Sequence, residues 1–165
     1  MTALKAGLLV ATVQALLVAS VGAKFLIDRA QYPRAWIATL PLDPDLPIRG
    51  RYVRLVAVVN TDDPAAPALA SVRQRVHLEV RAGELSAILD AKGHHWIRPA
   101  SRGQARCWVL AEPLAYFIPE HMADPTRRTA GEELWVEASI PPSGPPRPIR
   151  LGAKSNAGIE PIEIR

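Results

Sequence analysis

The stretch AGLLVATVQALLVASVGA, residues 6–23, contains no charged side chain and is followed by Lys24. If the Lys24 ammonium reaches the headgroup region of a bilayer, the apolar run continues to Ile27. A helix of about 22 residues spans roughly 33 Å, enough to cross a hydrocarbon core of about 30 Å. In lipid such a segment satisfies its backbone as a helix. We therefore predict that residues 6–27 cross a lipid bilayer.

A cleaved signal peptide is the alternative interpretation of this segment. Val21-Gly22-Ala23 is an acceptable small-residue cleavage site, and Lys5 provides a minimal basic start. The apolar run is longer than the roughly 7–15 residues of a signal-peptide core, which favours a retained, single-pass anchor. The basic residues on the two flanks slightly favour an inward-facing domain. Anchors with a very short N-terminal tail, however, commonly export the domain that follows.

The rest of the chain is long enough for one domain with its own core. We predict an anchor and juxtamembrane segment over residues 1–32 and a single β-rich soluble domain over residues 33–165. The net charge is +4, but only 18 basic and 16 acidic residues remain when Lys5 and Lys24 are set aside. The basic residues are scattered among apolar ones, which argues against nucleic-acid binding. The single cysteine, Cys107, excludes an intrachain disulfide, and its apolar neighbours indicate a buried, unreactive thiol.

Short runs with strand patterning follow one another along the soluble part. Residues 74–82 alternate between apolar and polar side chains, as a half-buried strand does, and Gly83-Glu84 suits a tight turn into a hairpin. The valine-rich run 51–59 is apolar on both faces, which predicts a central strand. Asp124 followed by Pro125 indicates a short helix or an irregular excursion. Further strands are predicted at residues 36–40, 85–89, 95–98, 105–110, 116–118, 134–140, 149–151 and 159–164.

These patterns predict a mainly β fold. It consists of an N-terminal transmembrane helix followed by an antiparallel β-sandwich or partly open barrel with one short helix.

Two segments resemble a known family. They read Pro41-Leu42-Asp43-Pro44 with Arg49-Gly50-Arg51-Tyr52-Val53-Arg54-Leu55, and Tyr116-Phe117-Ile118-Pro119-Glu120. They are similar to elements of the GDYxxLxY family of membrane-anchored bacterial proteins, which has no established activity. Arg51 and Ala57 replace the Asp and the last Tyr of the motif, so a role of the acidic side chain does not carry over. The resemblance implies a bacterial envelope protein with a multi-spanning membrane partner.

From this resemblance we predict that the motif strand is the binding surface, with Gly50, Arg51, Tyr52, Arg54 and Leu55 as candidate residues. The residues that match the motif also have structural explanations. Gly50 suits a turn with positive φ, Tyr52 offers an apolar ring with one polar tip, and Leu55 would fill the core.

No arrangement of residues predicts a catalytic or metal site. His94 and His95 would point to opposite faces of a strand, and no HExxH or CxxC spacing occurs. A Ser–Lys peptidase is disfavoured because Lys92 and Lys154 border polar segments and no serine directly follows the anchor. The pairs Asp62-Asp63 and Glu132-Glu133 lie in loops or at a strand start, which is typical of solvated charge. We therefore predict no catalytic residues, no metal, no cofactor and no enzymatic activity.

Two alternative roles are open for the tryptophans Trp96, Trp108 and Trp135. One is a platform that binds sugars, and the other is packing in the core or at an edge of the sheet. Trp135 falls on the polar face of its strand and is the best exposed candidate. The leading hypothesis is a non-enzymatic, membrane-tethered envelope domain on the outer, periplasmic face that binds a membrane protein. The alternative is an envelope enzyme or a module that binds a small ligand or saccharide.

Overall fold

The structure is a computed structural model of the chain, and it describes residues 3–42, 52–61, 72–119, 121–122, 124–127 and 131–163. By its packing the chain divides into two units, Met1–Tyr32 and Pro33–Arg165. Most of the predicted proline-rich turn at residues 41–47 and of the loop at residues 60–67 lies outside the described residues.

The first unit contains one long helix, α1 (Ala3–Gln31). Apolar side chains lie on all its sides, which is typical of a helix surrounded by lipid and unlike a helix that packs on a core along one face. The helical segment Leu4–Gln31 is long and apolar enough to cross a membrane. The helix ends two residues before Pro33, which disfavours helical geometry at Tyr32.

The second unit is an antiparallel sheet with ten described strands, and this confirms the mainly β prediction. Across the sheet the order is β10-β9-β8-β1-β2-β6-β5-β3-β4, and β7 pairs with β2 outside this order. β1, β5 and β9 are longer than predicted. The strands are β1 (Arg34–Leu42), β2 (Tyr52–Val59), β3 (Gln74–Arg81), β4 (Glu84–Leu89), β5 (His95–Arg102), β6 (Ala105–Leu110), β7 (Leu114–Phe117), β8 (Glu133–Ser139), β9 (Arg147–Ser155) and β10 (Gly158–Pro161).

β1 divides its pairing between two neighbours. Its first part, Arg34–Ala38, pairs with β8, and its last part, Thr39–Leu42, pairs with β2. Where the ladder with β8 ends, the Thr39 hydroxyl donates a hydrogen bond of 2.7 Å to the carbonyl oxygen of Leu134. The ladder between β1 and β2 stops at Thr39 and Ala57. The first part of β1 and the last part of β2 therefore diverge.

The start of β4 fills the gap between the diverging strands. The backbone N–H of Trp36 donates to the Gly83 carbonyl oxygen at 3.2 Å. Asn60 donates to Leu85 at 3.0 Å and accepts from Ala87 at 2.7 Å through backbone groups. Through these bonds β4, the last strand in the sheet order, is connected to β1 and to the residue that follows β2. The sheet is thus curled into the partly open form that the strand pattern predicts.

A tight turn joins β3 to β4 and confirms the predicted hairpin. Arg81 pairs with Glu84, so the loop consists of Ala82 and Gly83, one residue earlier than predicted. Both loop residues have positive φ, 50° and 81°, as a type I′ turn requires. The turn places the carbonyl of Gly83 where Trp36 can bind it.

The core lies on the inner face of the curled sheet. Each buried aliphatic side chain contributes about 1.5–3 kcal/mol relative to exposure. β2 pairs on both edges, which confirms that it is central. The largest fully buried apolar side chains come from seven strands: Ile37, Leu55, Ile97, Leu151, Val76, Val109 and Val136.

Of the two alternatives for Trp135, the structure supports packing and not an exposed platform for sugars. Trp135 is only 8% exposed, because both faces of β8 are covered. The indole N–H donates to Oε2 of Glu133 at 3.2 Å, and the Lys154 ammonium lies 4.1 Å from the ring centroid. Alternation along β8 thus separates a core face from a second face that is also buried.

The one short helix of the fold prediction is wrong for the described residues 124–127, which form a turn. Asp124 Oδ1 accepts hydrogen bonds from the backbone N–H of Thr126 at 2.9 Å and from its hydroxyl at 2.7 Å. Aspartate commonly binds the backbone two residues later, and this favours a turn over a helix.

Gly93→Ala is expected to destabilise the β domain strongly. Gly93 packs against β3, where an added Cβ would lie 2.3 Å from the Val76 carbonyl oxygen. We expect the free energy of unfolding to fall by about 3 kcal/mol, as in overpacked cores. The matched control is Gly103→Ala, where nothing lies within 4 Å and only a φ of +60° opposes a side chain. Denaturant unfolding of both variants in detergent checks this, and equal losses would contradict it.

If α1 spans a bilayer, a charge at its centre opposes insertion. Leu16→Lys is expected to cost about 2.5–3.5 kcal/mol of insertion free energy. Leu4→Lys is the control, because a lysine at the helix end reaches the headgroups. We expect the wild type and the control to stay in membranes after alkaline carbonate extraction, and more Leu16→Lys protein to be released. A mature protein that starts at Lys24 would contradict the anchor.

Candidate functional site

The described part of the predicted motif site divides between two faces of β2. Gly50 and Arg51 lie outside the described residues. Tyr52 is exposed and Arg54 half-buried on the outer face. Leu55 is 0% exposed and points to the inner face, where it fills the core as expected. Of the described candidate residues, Tyr52 and Arg54 are therefore the two that a partner can contact directly.

Where the structure describes them, the two predicted motif segments lie side by side. The start of β2 pairs antiparallel with β7, with Tyr52 opposite Phe117 and Leu55 opposite Leu114. Nothing local in either segment indicates this pairing, so the sequence predicts them only as separate elements.

This pairing creates what we call the aromatic patch, formed by Leu42, Tyr52, Arg54 and Phe117. The rings of Tyr52 and Phe117 meet edge to face, with centroids 5.5 Å apart and an interplanar angle of 68°. Tyr52 is 46% exposed and Phe117 57% exposed. Leu42 pairs in register with Arg54 on the neighbouring strand. The patch is a part of the outer sheet face with two exposed rings and one half-buried arginine.

A second candidate site lies where β1 and β2 diverge, and we call it the split-strand cleft. Its volume is about 360 Å³, within the usual range of small-ligand pockets. Ile37 and Ala38 of β1 and Val58 of β2 form part of its wall. The side chains that give the cleft its chemistry are Trp36, Asn60, Glu84, Arg102, Glu133 and Lys154.

The polar groups of the cleft bind one another. Asn60 Nδ2 donates to Glu84 Oε2 at 2.7 Å. Arg102, at the end of β5, forms an ion pair with Glu133 at the start of β8. Glu133 also accepts the indole N–H of Trp135. The side chains are thereby held in fixed positions and keep further hydrogen-bonding capacity, since a carboxylate offers about four lone-pair sites.

No pattern in the sequence indicates this cleft. The sequence predicts that Glu133 is a solvated carboxylate and that Lys154 is not a peptidase lysine. The structure places both side chains beside Trp135. The lining comes from six strands and from Asn60, so residues far apart in the sequence form it together. The one local signal is Gly152, where a Cβ would lie 2.7 Å from Cζ3 of Trp36.

The titratable groups outside both sites are explained by burial. His94 is exposed and His95 buried, in line with their predicted opposite orientation. Burial lowers the pKa of His95, while nearby Glu112 acts in the opposite direction. Burial raises the pKa of the partly buried Cys107 thiol, as expected for an unreactive cysteine. Within the described ranges, no three His, Cys, Asp or Glu side chains cluster as metal ligands.

Comparison of the chain with protein-family models, with curated proteins and with solved structures finds no match. Function is therefore inferred from the side chains and their geometry.

The lowered pKa of His95 predicts a loss of stability in acid. Below the ordinary pKa of 6.5 the unfolded chain binds the proton more readily than the folded chain. The free energy of unfolding should therefore decrease as pH falls from 6.5 towards the lower pKa of the folded state, by at most about 1.4 kcal/mol per pH unit.

Denaturant unfolding of the full chain in detergent between pH 5 and pH 8, in steps of about half a unit, measures this dependence. His95→Gln should flatten the acid side of the profile, whereas His121→Gln, at an exposed histidine that does not contribute to the shift of the His95 pKa, should leave it unchanged. An identical profile for wild type and His95→Gln would contradict the assignment.

Proposed function

We propose that this protein is a non-enzymatic, membrane-tethered envelope domain that binds a membrane-protein partner through the aromatic patch. The proposal includes an anchor formed by α1 and a β domain on the outer, periplasmic face of a bacterial membrane. The observation that carries it is the exposed Tyr52–Phe117 pair on two segments that both resemble the GDYxxLxY family.

The composition of the patch supports a protein partner. Interface residues that contribute most to binding are enriched in aromatic residues and arginine, and they cluster at the centre of a contact. Tyr52 and Phe117 are large rings that lose little conformational entropy on binding, and Arg54 lies on the same face. Half-exposed rings in contact keep apolar area in water, which a covering surface would remove.

The shape of the patch supports the same partner. Leu42, Arg54 and Ala115 lie in register on three neighbouring strands, so the surface is a sheet face. An open sheet face suits a broad protein surface, whereas small ligands are bound in concave sites.

The short connection to α1 supports a partner in the membrane. Only Tyr32 and Pro33 separate the end of α1 from the start of β1. Two residues reach at most about 7 Å, so a membrane-embedded α1 keeps the domain close to the bilayer. A partner in the same membrane is then always within a short distance, which raises its effective concentration.

Site-specific photo-crosslinking in membranes tests this proposal. A photoreactive residue at Ala115, which is exposed on the face of the patch beside Phe117, should give a discrete adduct with another membrane protein. The same residue at Ala91, exposed in the turn after β4, is the positional control and should not give that adduct.

Tyr52→Ala and Phe117→Ala should each reduce the Ala115 adduct by about tenfold, as expected when an interface aromatic worth about 1.4 kcal/mol or more is lost. Trp96→Ala removes another exposed aromatic residue and should leave the adduct unchanged. Both patch variants should fold, because an exposed aromatic pair contributes only about 0.5–1.5 kcal/mol to stability. An undiminished adduct in a folded Tyr52→Ala protein would refute the proposed surface.

A further inference from the structure

The split-strand cleft has the features of a ligand site, and it shares no residue with the aromatic patch. We propose that it binds a neutral, polyhydroxylated ligand, that is, one or two rings of a saccharide. This inference goes beyond the proposed function and stands on different residues.

The formal charges of the side chains that line the cleft are balanced. Two carboxylates, Glu84 and Glu133, face two cations, Arg102 and Lys154. Inside the cleft or against its wall, Arg102 is paired with Glu133, Lys154 lies over the Trp135 ring, and Glu84 accepts a hydrogen bond from Asn60. A ligand with a net charge would compete with these contacts and meet a like charge, which disfavours it.

The side chains of the cleft include both hydrogen-bond donors and acceptors. Arg102, Lys154 and the amide group of Asn60 donate, while Glu84 and Glu133 accept. A sugar hydroxyl both donates and accepts, so adjacent hydroxyls can each find one partner of either kind. Asn60 and Glu84 are joined at 2.7 Å and act as a fixed pair. Such preorganisation lowers the entropy cost of binding.

The indole ring of Trp36 has a fixed position in the cleft lining. The ring reaches across β8 to β9, where Gly152 leaves room for it. The guanidinium of Arg150 lies 5.4 Å from the ring centroid of Trp36. The Nε–H of Arg150 donates a hydrogen bond of 2.5 Å to Oε2 of Glu137. The ring is therefore held in place at the wall of the cleft and is only half-buried. The C–H groups on one side of a pyranose pack well on an aromatic face, which carries partial negative charge.

The test uses the full chain in phosphatidylcholine nanodiscs, without glycoside detergents. Glucose, cellobiose and N,N′-diacetylchitobiose are titrated by calorimetry, with tryptophan fluorescence as a second signal. At least one should bind saturably with a Kd of about 1 mM or tighter, equivalent to about −4 kcal/mol. No saturable binding by any of the three would overturn the proposal.

Variants of the lining then locate the site. Trp36→Ala should weaken binding by about tenfold or more, and Glu84→Ala should do so by a similar factor, since a hydrogen bond to a charged group is lost. Trp96→Ala, an exposed tryptophan outside the cleft, should bind as the wild type does. Unchanged affinity in a folded Trp36→Ala protein would refute the assignment. If that variant does not fold, the exposed Glu84→Ala decides in the same way.

Two further measurements separate this inference from others. Glucuronate and glucose 6-phosphate should bind more weakly than glucose, and tighter binding of either would refute the neutral ligand. Tyr52→Ala should bind sugar normally, because the aromatic patch is a different surface. A loss of sugar binding in that variant would contradict a separate site.

Discussion

The β domain depends on the way in which β1 divides its backbone hydrogen bonds. Its first part pairs with β8 and its last part with β2, and the Thr39 hydroxyl replaces the backbone ladder at the junction. One strand thereby joins the β8–β9–β10 part of the sheet to the part that contains β2, β6, β5, β3 and β4. Because buried backbone groups must be paired, the diverging ends require another strand between them, and the start of β4 provides it.

This division also places the two candidate surfaces. Where β1 and β2 stay paired, the free edge of β2 accepts β7, and the rings of Tyr52 and Phe117 meet on the outer face. Where β1 and β2 separate, the cleft opens beside Trp36 and Asn60. The six residue steps from Trp36 to Leu42 advance about 20 Å along the strand, so the surfaces lie towards opposite ends of β1. One is an exposed aromatic sheet face, and the other is a polar cleft.

Charged side chains around the tryptophans act mainly by positioning the rings. Lys154 lies over Trp135, and Arg150 lies near Trp36 while bound to Glu137. Partly exposed ion pairs contribute about 0–1 kcal/mol and exposed cation–π contacts about 0.5–1 kcal/mol, so neither dominates stability. Their effect is to restrict each indole to one orientation. A fixed ring is useful at a binding surface, because its conformational entropy is already lost.

The sequence by itself determined the apolar helix, most of the strands, the β3–β4 hairpin and the position of Leu55 in the core. These features depend on local chemistry: an uncharged run of helix-forming residues, period-two alternation, and turn residues at fixed positions. Only the tertiary structure decided that Trp135 is covered, that residues 124–127 form a turn, that the two motif segments pair, and that Trp36, Asn60 and Arg102 share a cleft. Alternation reports which way a side chain points from its own strand, but it does not report what packs there. The pairing of distant strands depends on how β1 divides its hydrogen bonds, and no local pattern encodes that division.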